Sequence, residues 1–396
     1  MELCKTASCT GCGVCKAVCR HGAISFELDS LGFRYPMIDA SKCVECGLCA
    51  QKCPSLNPAA IEPQNDCYLA WAKDDTIHYD SASGGISYLL GKHVIENGGF
   101  AVGCVWDKDF NAVMVVSDNI QDLGKTVGSK YVQSYIHDDA WAEVKTRLNT
   151  GQKGIFIGQP CQVAAMKSYS NNHSNLILCD LLCHGGCSPK CHHDHLEHIK
   201  QKKELKNITD IRFRGGGYNC LYTLWNDDKL IYKDGQYVDS YFYSFMKHGL
   251  FHESCYQCLY AKSDRVSDIT IADYWGIDPE FVKNKHTLNG TNLVVIHSDK
   301  GQTIWDEIKE KIESYKRPYE EAIAGNDTLR APTDVPPDRE DILQLVSDKG
   351  FEYAIRKDKV YRSNVFASRK GDAVAMIRKF IPNILVKLIK RFLHRS

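Results

Sequence analysis

A chain of 396 residues, 43% hydrophobic and 25% charged, has the make-up of a globular protein long enough for two or three domains. Its 49 basic and 49 acidic residues cancel, so no bulk field points to nucleic acid, and no apolar run reaches the roughly 18 residues that a membrane span requires. Nineteen cysteines are extravagant for a reducing compartment unless metal holds them. The opening Met1-Glu2-Leu3-Cys4 lacks a basic segment followed by an apolar one, so no export signal is expected and the cytoplasm is the expected setting.

Cys9, Cys12, Cys15 and Cys19 are spaced C-x2-C-x2-C-x3-C, and Cys43, Cys46, Cys49 and Cys53 repeat that spacing before Pro54. This is the spacing of a bacterial ferredoxin carrying two 4Fe-4S clusters. Three cysteines two residues apart reach three corners of one cubane, and the fourth, after a longer gap, points away to the other cluster. Cys9, Cys12, Cys15 and Cys53 then serve one cluster, and Cys43, Cys46, Cys49 and Cys19 the other. Gly11, Gly13 and Gly47 let the backbone turn close to the metal. Zinc sites also use paired C-x2-C units, but they do not need two sets of four at this spacing. Arg20 departs from the pattern, standing where the second motif has proline. Residues 24–28 and 32–36 read as the hairpin joining the two halves, and the proline-rich stretch 54–64 as a linker.

From Asp66 strands and helices alternate, which argues for an α/β core. Strands are expected over residues 67–72, 100–105, 112–116, 154–158 and 176–182, and helices over 86–95 and 140–148. From about Ile208 the pattern turns antiparallel, with strands over 211–214, 221–225 and 230–232 and a turn at Gly215-Gly216-Gly217. Buried strands return at 269–273 and 293–296, helices follow from Gln302 to about Ile323, and the region after Asp327 is charged and broken by prolines. The expected layout is α+β / α/β. It comprises a ferredoxin-like domain over 1–58, a mixed α/β flavin-binding domain over 66–325, a charged linker or helical region over 326–368 and a basic amphipathic tail over 369–396.

Several polar stretches stand just past buried strands, where α/β sheets bind ligands. They include Gly128-Ser129-Lys130-Tyr131, Gly158-Gln159-Pro160-Cys161-Gln162 and Cys183-His184-Gly185, with Cys255-x2-Cys258 after a loop. Together with Ser83-Gly84-Gly85, Ser188-Pro189, residues 267–270 and Asp273-Tyr274-Trp275-Gly276, this order resembles the beta subunits of coenzyme F420 hydrogenases and dehydrogenases, over roughly residues 68–310. The resemblance implies FAD beside a third 4Fe-4S cluster, whose ligands map onto Cys161, Cys183, Cys255 and Cys258. Ser83, Gly84 and Gly85 open a helix whose free N–H groups suit a pyrophosphate. Gly128, Ser129, Tyr131 and Gln162 are carried over with them as cofactor-binding positions. Lys130 either neutralises a phosphate, biases the flavin ring toward its reduced anion, or is a solvated surface lysine. His184 and Arg265 are the candidates for proton transfer and for charge pairing with substrate or flavin, the alternative for either being a structural role.

Cys187 and Cys191, among His184, His192, His193 and His195, have the look of a metal site; the preferred reading is a helix start with incidental His and Cys. In the tail, Ile381, Ile384, Leu385, Leu388, Ile389 and Phe392 share one helical face and Lys387, Lys390, Arg391 and His394 the other. That face suits either the anionic inner surface of a membrane or packing on the body. The expected function is an oxidoreductase in which clusters pass single electrons to FAD, which reduces or oxidises a small-molecule substrate, with a ferredoxin-like external electron donor or acceptor. Some relatives with a fused ferredoxin unit sit in surface-polysaccharide gene sets, so a role in surface-polysaccharide synthesis is one expectation. The alternative is a non-catalytic electron-transfer subunit serving a partner enzyme.

Overall fold

The computed structural model describes residues 3–61, 66–278, 281 and 290–380, with only the backbone described over 372–380. At the N-terminus, β1 (Ile24–Leu28) and β2 (Arg34–Ile38) pair antiparallel between two short helices, Val14–Val18 and Leu48–Lys52. Each helix starts from a left-handed glycine, Gly13 at φ 92° and Gly47 at φ 78°, and each ends on a cysteine, Cys19 and Cys53, in extended conformation. Only glycine takes that starting dihedral freely. A helix of five residues advances about 7.5 Å, which carries the last cysteine of each motif well away from the first three.

The main sheet contains β3 (Asp66–Ala72), β4 (Phe100–Trp106), β5 (Ala112–Ser117), β6 (Tyr135–Ile136), β7 (Gly154–Gly158) and β8 (Leu176–Leu181). A separate antiparallel sheet of β9 (Asp210–Arg214), β10 (Cys220–Asn226) and β11 (Lys229–Gly235) follows, as the sequence pattern suggests. The chain then returns to the main sheet with β12 (Ile269–Asp273), β13 (Asn292–Ile296) and β14 (Ile312–Lys316). The main sheet runs β14-β3-β13-β12-β8-β7-β4-β5-β6. Its centre, β12, β8, β7 and β4, is parallel, and its flanks add antiparallel strands, so the architecture is mixed α/β.

Apolar residues cover both faces of the sheet, as a parallel centre requires. Helices Ile86–Glu96 and Asp299–Ile308 pack on one face through Leu90, Ile304 and Trp305. Helices Asp138–Asn149 and Pro160–Tyr169 pack on the other through Trp141, Val144 and Met166, and Val14 of the N-terminal unit joins that same core. The β9–β11 sheet gathers a third core, which includes Ile342, Val346, Phe351 and Ile355.

One expectation changes here, and one of two open readings is met. The helical reading of 302–323 contains a strand, β14, at the edge of the sheet beside β3. Its charged, short sequence is how edge strands avoid further pairing, and that disguises it. Beyond Asp327 the chain is helical, at Arg339–Lys349, Phe351–Lys357 and Lys359–Phe380, once Pro332, Pro336 and Pro337 are past. The amphipathic face expected over 381–396 lies outside the described residues. Among those described, no helix is long and apolar enough to cross a membrane.

Candidate redox site

Four cavities follow one another from the N-terminus into the main sheet. The outermost is lined by Cys43, Cys46, Cys49 and Cys19 together with His21, and Cys46 is exposed. The next is lined by Cys9, Cys12, Cys15 and Cys53, with Cys4 beside them. Both sets are grouped as the spacing predicts, each drawing its fourth cysteine from the end of the other motif's helix. Among the described residues no group of three or more His, Cys, Asp or Glu closes on a single metal ion. In each set the four thiols line one cavity.

The third cavity, of about 130 Å³, is lined by Cys161, Cys183, Cys255 and Cys258. Cys161 sits in the first turn of helix Pro160–Tyr169, just past the end of β7, and Cys183 just past the end of β8. Those two strands are parallel neighbours, so their carboxyl ends lie side by side. Cys255 lies in the 3-10 turn Glu253–Gln257 and Cys258 caps it; the Gly186 amide donates to Cys255 Sγ at 3.3 Å. Burial pushes all four thiols up, Cys255 to about 12, and in Cys161, Cys183 and Cys255 neighbouring cysteines push the same way. Ser8, Thr10 and Ser55 of the N-terminal unit line this cavity too, and Cys12 is near enough to act electrostatically on Cys161.

The fourth cavity, about 280 Å³, opens at the carboxyl ends of β4, β7, β8 and β12. It shares Gln159, Cys183, His184 and Gly185 with the third, so these residues form a common wall. Ser83, Gly85, Gly128, Ser129, Lys130, Tyr131 and Gln162 all line it. Gly84 does not. A Cβ there would stand 2.5 Å from the Ala70 carbonyl, so this glycine serves close packing on β3. Gln162 is committed within the fold: its Nε2 donates to Ser134 O and Oγ, and its Oε1 accepts from the Gln159 amide. The Ser83 hydroxyl donates to Thr291 O, and Asn292 Oδ1 accepts the Ile86 amide at the helix start. Lys130 donates to the carbonyls of Lys125 and Val127 beside the Trp106 ring, and burial holds its ammonium below the ordinary range.

His184 stands at the junction of the two cavities, its ring stacked near His248 and reached by solvent, yet enclosed enough that burial lowers its pKa. Arg265 is a correction. It lines neither cavity. Its guanidinium is buried against Asp180, with Nη2 at 2.7 Å and Nε at 3.1 Å from Oδ2, and it also donates to Tyr260 O and Lys262 O just beyond Cys258. It supports the cysteine loop, and its charge favours the thiolates of Cys183 and Cys258.

The sequence reading missed Arg214. From β9 it donates to Asp273 Oδ2 at 2.9 Å, Tyr131 OH at 3.1 Å and Ala82 O at 2.6 Å, tying three of the motif stretches around one pocket. It lines that pocket almost fully buried, and its Nε has no partner. Only the Gly-Gly-Gly turn beside it, a place of close approach, singled out its neighbourhood. Cys187 and Cys191 stand at the start of a helix, as expected. Ser188 caps the helix Pro189–Lys203, both thiols are fully buried among aromatic residues, and His192 stacks on Trp106.

Residues 151–321 match the family model for the C-terminal part of the coenzyme F420 hydrogenase/dehydrogenase beta subunit, and residues 8–57 match that of a 4Fe-4S dicluster domain. The chain joins these two domains, as its motifs suggested. It is therefore an iron-sulfur protein of oxidoreductase type. The beta-subunit match holds Cys161, Cys183, Cys255, Cys258 and Arg214, and begins later than the sequence resemblance did. Among curated relatives, an F(420)H(2) dehydrogenase subunit of Methanosarcina mazei is 23% identical over 78% of this chain and 85% of its own length. The coenzyme F420-dependent sulfite reductase of Methanocaldococcus jannaschii is 28% identical over 42% of this chain, which spans only 26% of that enzyme. A solved F420-reducing [NiFe] hydrogenase complex from Methanosarcina barkeri aligns over 82% of this chain and 95% of its own, at TM-score 0.44 and 17% identity.

Proposed function

We propose that the chain is an iron-sulfur flavoprotein oxidoreductase. Electrons pass from the two ferredoxin-type clusters, through a third 4Fe-4S cluster held by Cys161, Cys183, Cys255 and Cys258, to FAD in the fourth cavity. The observation that carries this reading is the shared wall: Cys183, His184 and Gly185 face the four-cysteine cavity on one side and the large pocket on the other. Thr10 and Ser55 line both this cavity and that of Cys9, Cys12, Cys15 and Cys53, and so join it to the N-terminal unit.

Two features of the pocket support an anionic, pyrophosphate-bearing cofactor such as a flavin dinucleotide. The start of helix Ile86–Glu96 brings its positive dipole end to it through Gly85 and Ser87, and the buried, unpartnered Arg214 Nε is an orphan donor of the sort that an anionic group satisfies. When bound, FAD supplies the step that turns single electrons into a pair or a hydride. The protein's part is to hold it. Arg214 and the helix start anchor the anionic middle, Lys130 offers a cation against the ring or a phosphate, and neutral His184 takes or returns the proton that accompanies the electron pair. The exposed Cys46 side of the outer cavity is where a ferredoxin-like protein exchanges electrons. Relatives are named for coenzyme F420, so a deazaflavin is the first substrate to test.

The test is quantification of iron, sulfide and flavin on anaerobically prepared protein, expecting about twelve irons and one FAD per chain. Iron near eight without flavin would sink the reading. The second reading, an electron-transfer subunit, is favoured by the relative that spans most of the chain, itself named as a subunit. Bound flavin that turns over substrate only after a partner is added would select it.

A further inference from the structure

Cys4 belongs to neither cysteine motif, yet it lines the same cavity as Cys9, Cys12, Cys15 and Cys53. Three features hold it there. Leu3 packs with Cys15, Ile24 and Cys49 in the small N-terminal core. The 3-10 turn Thr6–Ser8, in which the Cys9 amide donates to the carbonyls of Lys5 and Thr6 at 3.0 and 3.1 Å, folds the chain back so that Cys4 meets Cys9. Gln257 Nε2 donates to Ala7 O at 2.9 Å and ties that turn to the loop bearing Cys255 and Cys258. The Cys4 thiol is half-buried and lines that cavity alongside Cys53 and Cys9.

A 4Fe-4S cube has four irons to ligate, and this cavity offers five thiols. We infer that Cys4 is a reserve ligand of this cluster, taking the iron of Cys53 when that bond opens. Cys53 is the ligand set apart: it alone of the four comes from the second motif, at the end of its own helix Leu48–Lys52. The exchange breaks one iron–thiolate bond and makes another. The Cys4 proton passes to the departing Cys53 thiolate, and no electron moves. Nothing in this depends on the flavin or on the third cluster; it rests only on the dicluster assignment.

Full-length wild type, C4S, C53S and C4S/C53S, purified anaerobically, are compared for iron, acid-labile sulfide and low-temperature EPR after dithionite. C4S should match wild type, and C53S should keep its iron with an altered EPR signal. The double variant should lose about four irons per chain. Equal iron in C53S and the double variant overturns the inference. A chelator experiment covers the case in which C53S does not fold: iron release should be several-fold faster from C4S than from wild type, and equal rates overturn the inference. A wild-type chain without iron would overturn the cluster assignment itself, a different failure from either of these.

Discussion

Arg265 and Arg214 divide labour that the sequence had given to one arginine. Arg265 is paired with Asp180, and Ser267 and Thr270 also donate to that carboxylate. Arg265→Leu would leave Asp180 buried without its cation, so a loss of about 3–5 kcal/mol in stability is expected, measured by denaturant unfolding. Arg214 instead faces the pocket. Arg214→Met should lower flavin content while leaving iron unchanged, read by absorbance and iron assay on the same sample. The cysteines separate in the same way. Serine at Cys161, Cys183, Cys255 or Cys258 should each cost about four irons. Serine at Cys187 or Cys191, both fully buried in an aromatic core, should leave iron intact and cost about 1–3 kcal/mol for the buried hydroxyl.

Among the elements, the helices after Asp338 matter most for their partners, which the sequence did not announce. His195 of helix Pro189–Lys203 lies between Asp239, 2.9 Å from its Nε2, and Glu352 of helix Phe351–Lys357, 2.7 Å from its Nδ1. Against the cost of burial, these two carboxylates raise the His195 pKa from 6.5 to about 9. Glu352 is lowered from 4.5 to about 2: burial opposes the charge, and His195 overcomes it. The imidazolium's contribution is therefore whole below about pH 6.5 and lost as pH rises through 9. That of the carboxylate is whole above about pH 4.5 and lost as pH falls toward 2. Thermal stability should decline between pH 6.5 and 9 in the wild type, and His195→Gln should flatten that decline while lowering stability at pH 6. A wild-type profile unchanged over that range would refute the pairing. A second tie runs from Arg339, which donates to Tyr256 OH and Phe251 O and pairs with Glu253. Through it the C-terminal helices brace the turn that carries Cys255.

For the whole molecule, the four cavities are nested in one order, from a surface cysteine to a pocket inside the sheet's carboxyl edge. An order makes a directional prediction. Cys46→Ser, at the outer end, should abolish reduction of the proposed flavin by a ferredoxin-type protein donor, while dithionite, which is small, should still bleach it. Flavin reduced equally well by the protein donor in both proteins would place electron entry elsewhere.

The ferredoxin-type clusters were legible because their ligands are local. Eight thiols in two short repeats, with Gly13 and Gly47 at the turns, state their own pairing, and folding only had to place Cys19 and Cys53 at the far ends of two helices. The central strands were legible too, since strands buried on both faces read as unbroken apolar runs. What decided the rest was long-range. Apart from the Cys255-x2-Cys258 pair, the four cysteines of the third cavity carry no spacing of their own; Cys161 and Cys183 meet that pair because β7 and β8 are parallel neighbours and a distant loop folds over their ends. Arg214, β14 and the helices beyond Asp338 draw their meaning from partners remote in sequence, Asp273, β3 and the third core. Local covalent spacing can specify a ligand set, but a site made by the crossing of separate elements exists only once burial and strand pairing have brought them together.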